Sequence, residues 1–131
     1  MTKKIFEKSF LSIFNSYPEI KLVYFFGSRA KNNYGPLSDY DFAIFLDEKD
    51  KKKMFKIKLE MLDKISRALK TDKVDIVILN ILNAPEMKYN IITQGKLIFE
   101  KEPFKILTEP KILMEYFDFR MNLSKYNLIK T

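Results

Sequence analysis

Three short apolar runs limit what this chain can fold into: "IKLVYFF" at 20–26, "DYDFAIFL" at 39–46 and "KVDIVIL" at 73–79. Each is rich in β-branched and aromatic residues and bounded by turn formers, the pattern of a strand. Around them apolar residues recur at helical spacing. Phe6, Phe10, Ile13 and Tyr17 predict an amphipathic helix over 3–16, stopped by Pro18. Met54, Ile57, Met61, Ile65 and Leu69 predict a long helix over about 50–69, with Lys51, Lys52 and Lys53 as its solvated start. A shorter helix over 85–94 takes Pro85 into its first turn and ends at Gly95, and "KLIFE" reads as a short fourth strand. The third run is nearly all apolar, which predicts a central strand. In the tail from Phe104 to Leu128, Pro110 sets the start of a C-terminal helix at about 110, and its aromatic stripe predicts packing on the core. This order of elements predicts an α/β or α+β fold of two layers, with residues 1–131 forming one domain.

The middle run carries an anomaly. A period of two places Asp39, Asp41, Ala43 and Phe45 on one face of its strand, and carboxylates are poor strand formers. Asp75 stands in the same way inside the third run. If those two strands are neighbours, three carboxylates converge. The chain has no cysteine and no histidine, so thiol nucleophiles, zinc–thiolate sites and imidazole bases are excluded. Convergent oxygen ligands suit a hard dication, Mg²⁺ or Mn²⁺, and two such ions on shared carboxylates make a clamp for in-line phosphoryl or nucleotidyl displacement.

Gly27 and Ser28 follow the first strand and precede a loop over 28–38. A glycine lets a phosphate approach the backbone, a helical turn opening there would offer free N–H groups, and the Ser28 hydroxyl adds a donor. Arg29 and Lys31 would bring positive charge to a triphosphate. Each residue also has a plainer account. Gly-Ser pairs are common in turns, Asp39 could cap the loop, and salt bridges could satisfy Asp41 and Asp75 one by one. The whole spacing, Gly-Ser, ten residues, Asp, one residue, Asp, arises by chance at roughly one position in 10⁵ at average residue usage.

The net charge of +7 is carried mostly by lysine. It suits an acidic partner, but a general usage rich in Lys, Ile, Asn and Phe accounts for it without selecting a ligand, so direct nucleic-acid binding is not expected. The N-terminus has no continuous apolar segment of a signal peptide, and no run approaches membrane-spanning length, which predicts a cytoplasmic protein with no membrane partner.

"GSRAKNNYGPLSDYDFAIFL" together with "KVDIVIL" resembles the minimal nucleotidyltransferases of the polymerase-β-like superfamily, with Gly27, Ser28, Asp39, Asp41 and Asp75 matching their signature. The stand-alone form is similar to the MNT antitoxins of HEPN–MNT toxin–antitoxin modules. The resemblance implies a small mixed sheet with helices packed against it. It implies metal-binding and catalytic roles for Asp39, Asp41 and Asp75, and nucleotide binding by Gly27, Ser28 and Arg29. It implies Mg²⁺ as cofactor, with Mn²⁺ as its substitute, and ATP as substrate. The activity implied is AMP transfer to a tyrosine of a HEPN-type (HepT-like) ribonuclease toxin, which makes the chain a type VII antitoxin able to assemble with that toxin. A small-molecule nucleotidyltransferase of aminoglycoside type, and an antitoxin acting by contact alone, are the alternatives. Where the family often has a glycine soon after the Gly-Ser-Arg segment, this chain has Asn32 and Asn33; asparagine tolerates left-handed backbone, so the loop is expected to form.

Overall fold

In a computed structural model, residues 8–126 are described. The first helix, α1, runs over Lys8–Asn15 and ends ahead of Pro18; the portion expected over 3–7, with Phe6, lies outside the described residues. Its anchor is Phe14, fully buried. Strands β1 (Ile20–Phe26) and β2 (Tyr40–Leu46) follow, then α2 (Lys51–Leu69), β3 (Val74–Ile78), a 3₁₀ turn (Leu79–Ile81), α3 (Pro85–Gln94), β4 (Lys96–Glu100) and α4 (Phe104–Lys125). Helix α2 starts where Asp50 accepts a hydrogen bond from the Lys52 N–H at 2.9 Å, the usual N-cap arrangement. It ends at Lys70 in the left-handed conformation. Met54, Ile57, Met61 and Ile65 are its buried stripe, as the spacing predicts.

The sheet order is β3-β2-β1-β4. β1 pairs antiparallel with β2 and with β4, and β2 pairs parallel with β3, so the sheet is mixed. The parallel pair needs a long crossover, and α2 supplies it. On one sheet face Val23, Phe25, Phe42, Ile44, Ile76 and the α2 stripe form the main core. On the other face Leu22, Tyr24, Ala43, Leu79 and Ile91 form a second cluster under α3 and the start of α4. Helices thus cover both faces, and the sheet is the middle of three layers, not one of two.

Two further expectations need correcting. β3 is an edge strand, not a central one. Its residues are apolar in succession because helices cover both of its faces: Ile76 and Ile78 enter the main core, and Val77 packs on the second cluster. Burial on two faces gives the same sequence pattern as a strand on each side. The C-terminal helix begins at Phe104 and runs through Pro110. Proline there leaves the Ile106 carbonyl without its N–H partner, but Ile106 is 77% exposed, so water reaches that side of the helix.

The α4 stripe also does not pack on the core along its length. Thr108 and Ile112 are its buried residues, while Met114, Phe117 and Met121 are exposed. Lys88 of α3 pairs with Glu115 at 3.2 Å, and a hydrogen bond and a ring stack fasten the helix further. The Tyr24 hydroxyl donates to Glu109 Oε2 at 2.5 Å, and the Tyr116 ring stacks on Tyr89 of α3 at 3.9 Å between centroids. Burial and the Glu109 carboxylate both push the Tyr24 hydroxyl pKa well up, so it stays protonated. A side-chain amide closes the β2 end: Asn80 accepts from the Leu46 N–H at 2.9 Å and donates to its carbonyl at 2.7 Å.

Candidate functional site

The site lies at the end of the sheet where β1 finishes and β2 and β3 begin. β1 leaves the sheet at Gly27, which has a φ of +82° that side chains rarely adopt. The next residues make one turn and not a helix, closed by the Asn33 N–H donating to the Ser28 carbonyl at 2.9 Å. Asn32 is left-handed at φ 56°, so asparagine serves here as expected.

Arg29 takes up a different position from that of an outward-reaching phosphate ligand. It is 7% exposed, its Nε donates to the Ser38 carbonyl at 2.9 Å, and its guanidinium lies over the rings of Tyr40 (4.1 Å) and Tyr34 (4.7 Å). It therefore braces the loop between its beginning and the approach to Asp39. Lys31, in the same turn, is exposed.

Asp41 is the second residue of β2 and Asp75 the second of β3. They are paired in register across the parallel ladder, so both side chains leave the same sheet face. Asp39 stands one residue ahead of β2, exposed, and not within the strand. Asp41 is half-buried and Asp75 exposed. Burial, then the charges of Asp75 and Asp39, push the Asp41 carboxyl up to about 6. Among the described residues none of the three forms a salt bridge or a side-chain hydrogen bond, so each lacks the private lysine that would make it structural.

The Asp41 carboxylate rests against Gly27. A Cβ at that glycine would stand 2.2 Å from Asp41 Oδ2. The missing side chain at 27 thus makes room for the acid as well as for the turn. Among the described residues, no three acids are close enough together to form a finished ion cage. The donor set is still one of hard oxygens, and its mutual repulsion is what a dication would relieve. On that chemistry the residues fit Mg²⁺ or Mn²⁺.

On the other side of Gly27 lies a cavity of about 530 Å³, walled by Phe26, Lys31, Met87, Asn90 and Gln94 among others. Sequence reading places Met87, Asn90 and Gln94 on a helix but gives no sign that this helix faces Gly27. Gly95 permits that approach: a Cβ there would meet the Ile91 carbonyl oxygen at 2.4 Å and Phe26 Cβ at 3.3 Å.

A sequence model of the polymerase beta nucleotidyltransferase family matches residues 8–104. No curated protein matches the chain by sequence. Solved structures with the same fold include a toxin–antitoxin MntA–HepT structure carrying two Asp-to-Glu substitutions, at 21% identity and a TM-score of 0.73, covering 90% of this chain and 92% of the other. A toxin–antitoxin structure with AMP-PNP is 22% identical with a TM-score of 0.73, covering 95% and 93%. A tri-AMPylated Shewanella oneidensis HEPN toxin in complex with MNT antitoxin gives 21%, a TM-score of 0.69, and coverage of 95% and 94%.

Proposed function

The chain belongs to the polymerase beta nucleotidyltransferase family, and from that premise we propose that it transfers AMP from ATP to a tyrosine of a HEPN-type ribonuclease toxin, silencing it as an antitoxin. The observation that carries the reading is the in-register pair Asp41 and Asp75, without salt-bridge partners, beside Asp39 and the Gly27 turn. The fold shared with toxin–antitoxin structures, one with AMP-PNP and one with a tri-AMPylated toxin, supports the choice of nucleotide and acceptor.

Asp39, Asp41 and Asp75 are the residues that would hold Mg²⁺, which supplies charge neutralisation for the triphosphate and a lowered pKa for a bound hydroxyl. Gly27 and Ser28 lie against the phosphates, and Arg29 keeps their turn in place. The acceptor tyrosine oxygen bonds to the α-phosphorus while the bond from that phosphorus to the bridging oxygen breaks. Pyrophosphate leaves, and the phenolic proton passes to the Asp75 carboxylate. A tyrosine hydroxyl with a pKa of about 10 gives up its proton poorly to a carboxylate unaided, so the step depends on Asp75 being oriented onto that hydroxyl, with the lowered pKa that a bound dication would supply.

The test is to incubate the chain with ATP, Mg²⁺ and the HEPN-type protein encoded beside it, then weigh that protein by mass spectrometry. A gain of one or more AMP units on tyrosine, absent with the Asp39→Asn/Asp41→Asn variant, is expected. Silencing of the ribonuclease with no change of mass would overturn the reading in favour of contact alone.

A further inference from the structure

The acids and the Gly27 turn account for the phosphate end of a nucleotide and leave the cavity beside them unused. Its volume of about 530 Å³ falls in the range of small-molecule sites, about 300–1,000 Å³. Its floor is apolar: Phe26, Met87 and the buried Ile91. Its rim holds two carboxamides, Asn90 and Gln94, one helical turn apart on the same face of α3. Among the described residues neither amide has a hydrogen-bond partner. Gly27 is wall to the cavity and backstop to the Asp41 carboxylate, so a molecule lying in the cavity reaches the acids at that end.

A slot with apolar side chains on one part of its wall and an exposed donor–acceptor pair on another suits a planar base. The adenine edge offers a donor beside an acceptor, which one carboxamide meets with both of its atoms. Guanine offers two acceptors, N7 and O6, on one edge, and on the other O6 beside two donors, N1–H and N2–H, a pair of donors that a carboxylate meets better than a carboxamide. The carboxylate on the wall is Glu86, and Arg120 stands 3.9 Å from it. Lys31 belongs to the Gly27 turn, where an ammonium serves the phosphates.

We infer that this cavity is the nucleoside subsite, with Asn90 and Gln94 reading the edge of adenine; this rests on the nucleotidyl-transfer reading above. Titration calorimetry in the presence of Mg²⁺ tests it, using AMP-PNP, its guanine counterpart and inorganic tripolyphosphate. The wild-type chain is expected to favour AMP-PNP. In Asn90→Ala/Gln94→Ala, affinity for AMP-PNP should fall roughly 10-fold and the preference should vanish, while tripolyphosphate binds as before. In Gln94→Glu, which keeps the side-chain length, affinity should shift toward the guanine analogue. Preference unchanged in both variants would overturn the inference and leave the reaction standing. A wild-type chain that binds neither AMP-PNP nor tripolyphosphate would overturn the nucleotidyl-transfer reading, and the inference with it.

Discussion

Gly27 and Asp41 touch: a methyl group at Gly27 would stand 2.2 Å from the Asp41 carboxylate oxygen, and the Gly27 backbone is already in a conformation that disfavours any side chain. Gly27→Ala should therefore lower stability by about 1–3 kcal/mol, combining backbone strain with the clash. In the Asp41→Ala background the carboxylate clash is gone and only the close Cβ at 41, 3.3 Å away, remains, so the same change should cost less, about 1 kcal/mol. Denaturant melts of the four proteins in that cycle check it. Equal costs in both backgrounds would mean the glycine serves the turn alone.

Asp41 predicts a pH dependence. Its carboxyl is raised from 3.8 to about 6, so the folded state holds the proton more tightly than the unfolded state. The stabilising effect of that proton is full below pH 3.8 and is lost as pH rises through 6. Above that, the ionised acid is a burden on the fold, up to about 3 kcal/mol at 1.36 kcal/mol per unit, and less because Asp41 is partly exposed. Asp41→Asn should melt higher than wild type at pH 7.5 without divalent ions, and the gap should close toward pH 4. Adding Mg²⁺ at pH 7.5 should narrow it from the wild-type side.

Arg29 is held by Ser38 and two tyrosine rings. Lysine cannot reproduce the Nε bond or the flat stacking. Arg29→Lys should cost about 1–2 kcal/mol in stability and lower kcat by loosening the approach to Asp39. An unchanged melting temperature with a raised KM for ATP would instead make Arg29 a direct phosphate ligand.

Tyr24 joins the sheet to α4 through Glu109. Tyr24→Phe should cost about 1–2 kcal/mol, since the carboxylate loses a buried donor. Hydrogen exchange should show faster opening of α4 near residue 109, with nucleotide binding unchanged. Protection equal to wild type would show that the contacts of α4 with α3, the Tyr89–Tyr116 stack and the Lys88–Glu115 pair, hold that helix without Tyr24.

The strands were legible because each is built of β-branched and aromatic residues, and the period of two put Asp41 on the site face before any pairing was known. The pairing of Asp41 with Asp75 depended on strand order, which local pattern does not encode. The sequence of β3 suits a central strand for a related reason, since apolarity on both faces reports cover and not the kind of cover. Pro110 misled because the rule against proline assumes a carbonyl that cannot be hydrated, and at Ile106 it can. Arg29 reads the same in sequence whether it points outward or stacks on Tyr34 and Tyr40. Likewise, Asn90 and Gln94 are ordinary helix-surface amides until Gly95 brings α3 against Phe26.

In the proposed reaction Asp39, Asp41 and Asp75 act together on a dication that carries the nucleotide. Calorimetric titration of AMP-PNP into the wild-type chain and into Asp75→Asn, each with Mg²⁺ and with EDTA, tests it most directly. Tight binding by wild type is expected only with Mg²⁺, and Asp75→Asn should lose at least about 10-fold in affinity, equivalent to 1.4 kcal/mol. Binding that is equal with and without Mg²⁺, or equal in the two proteins, would contradict it.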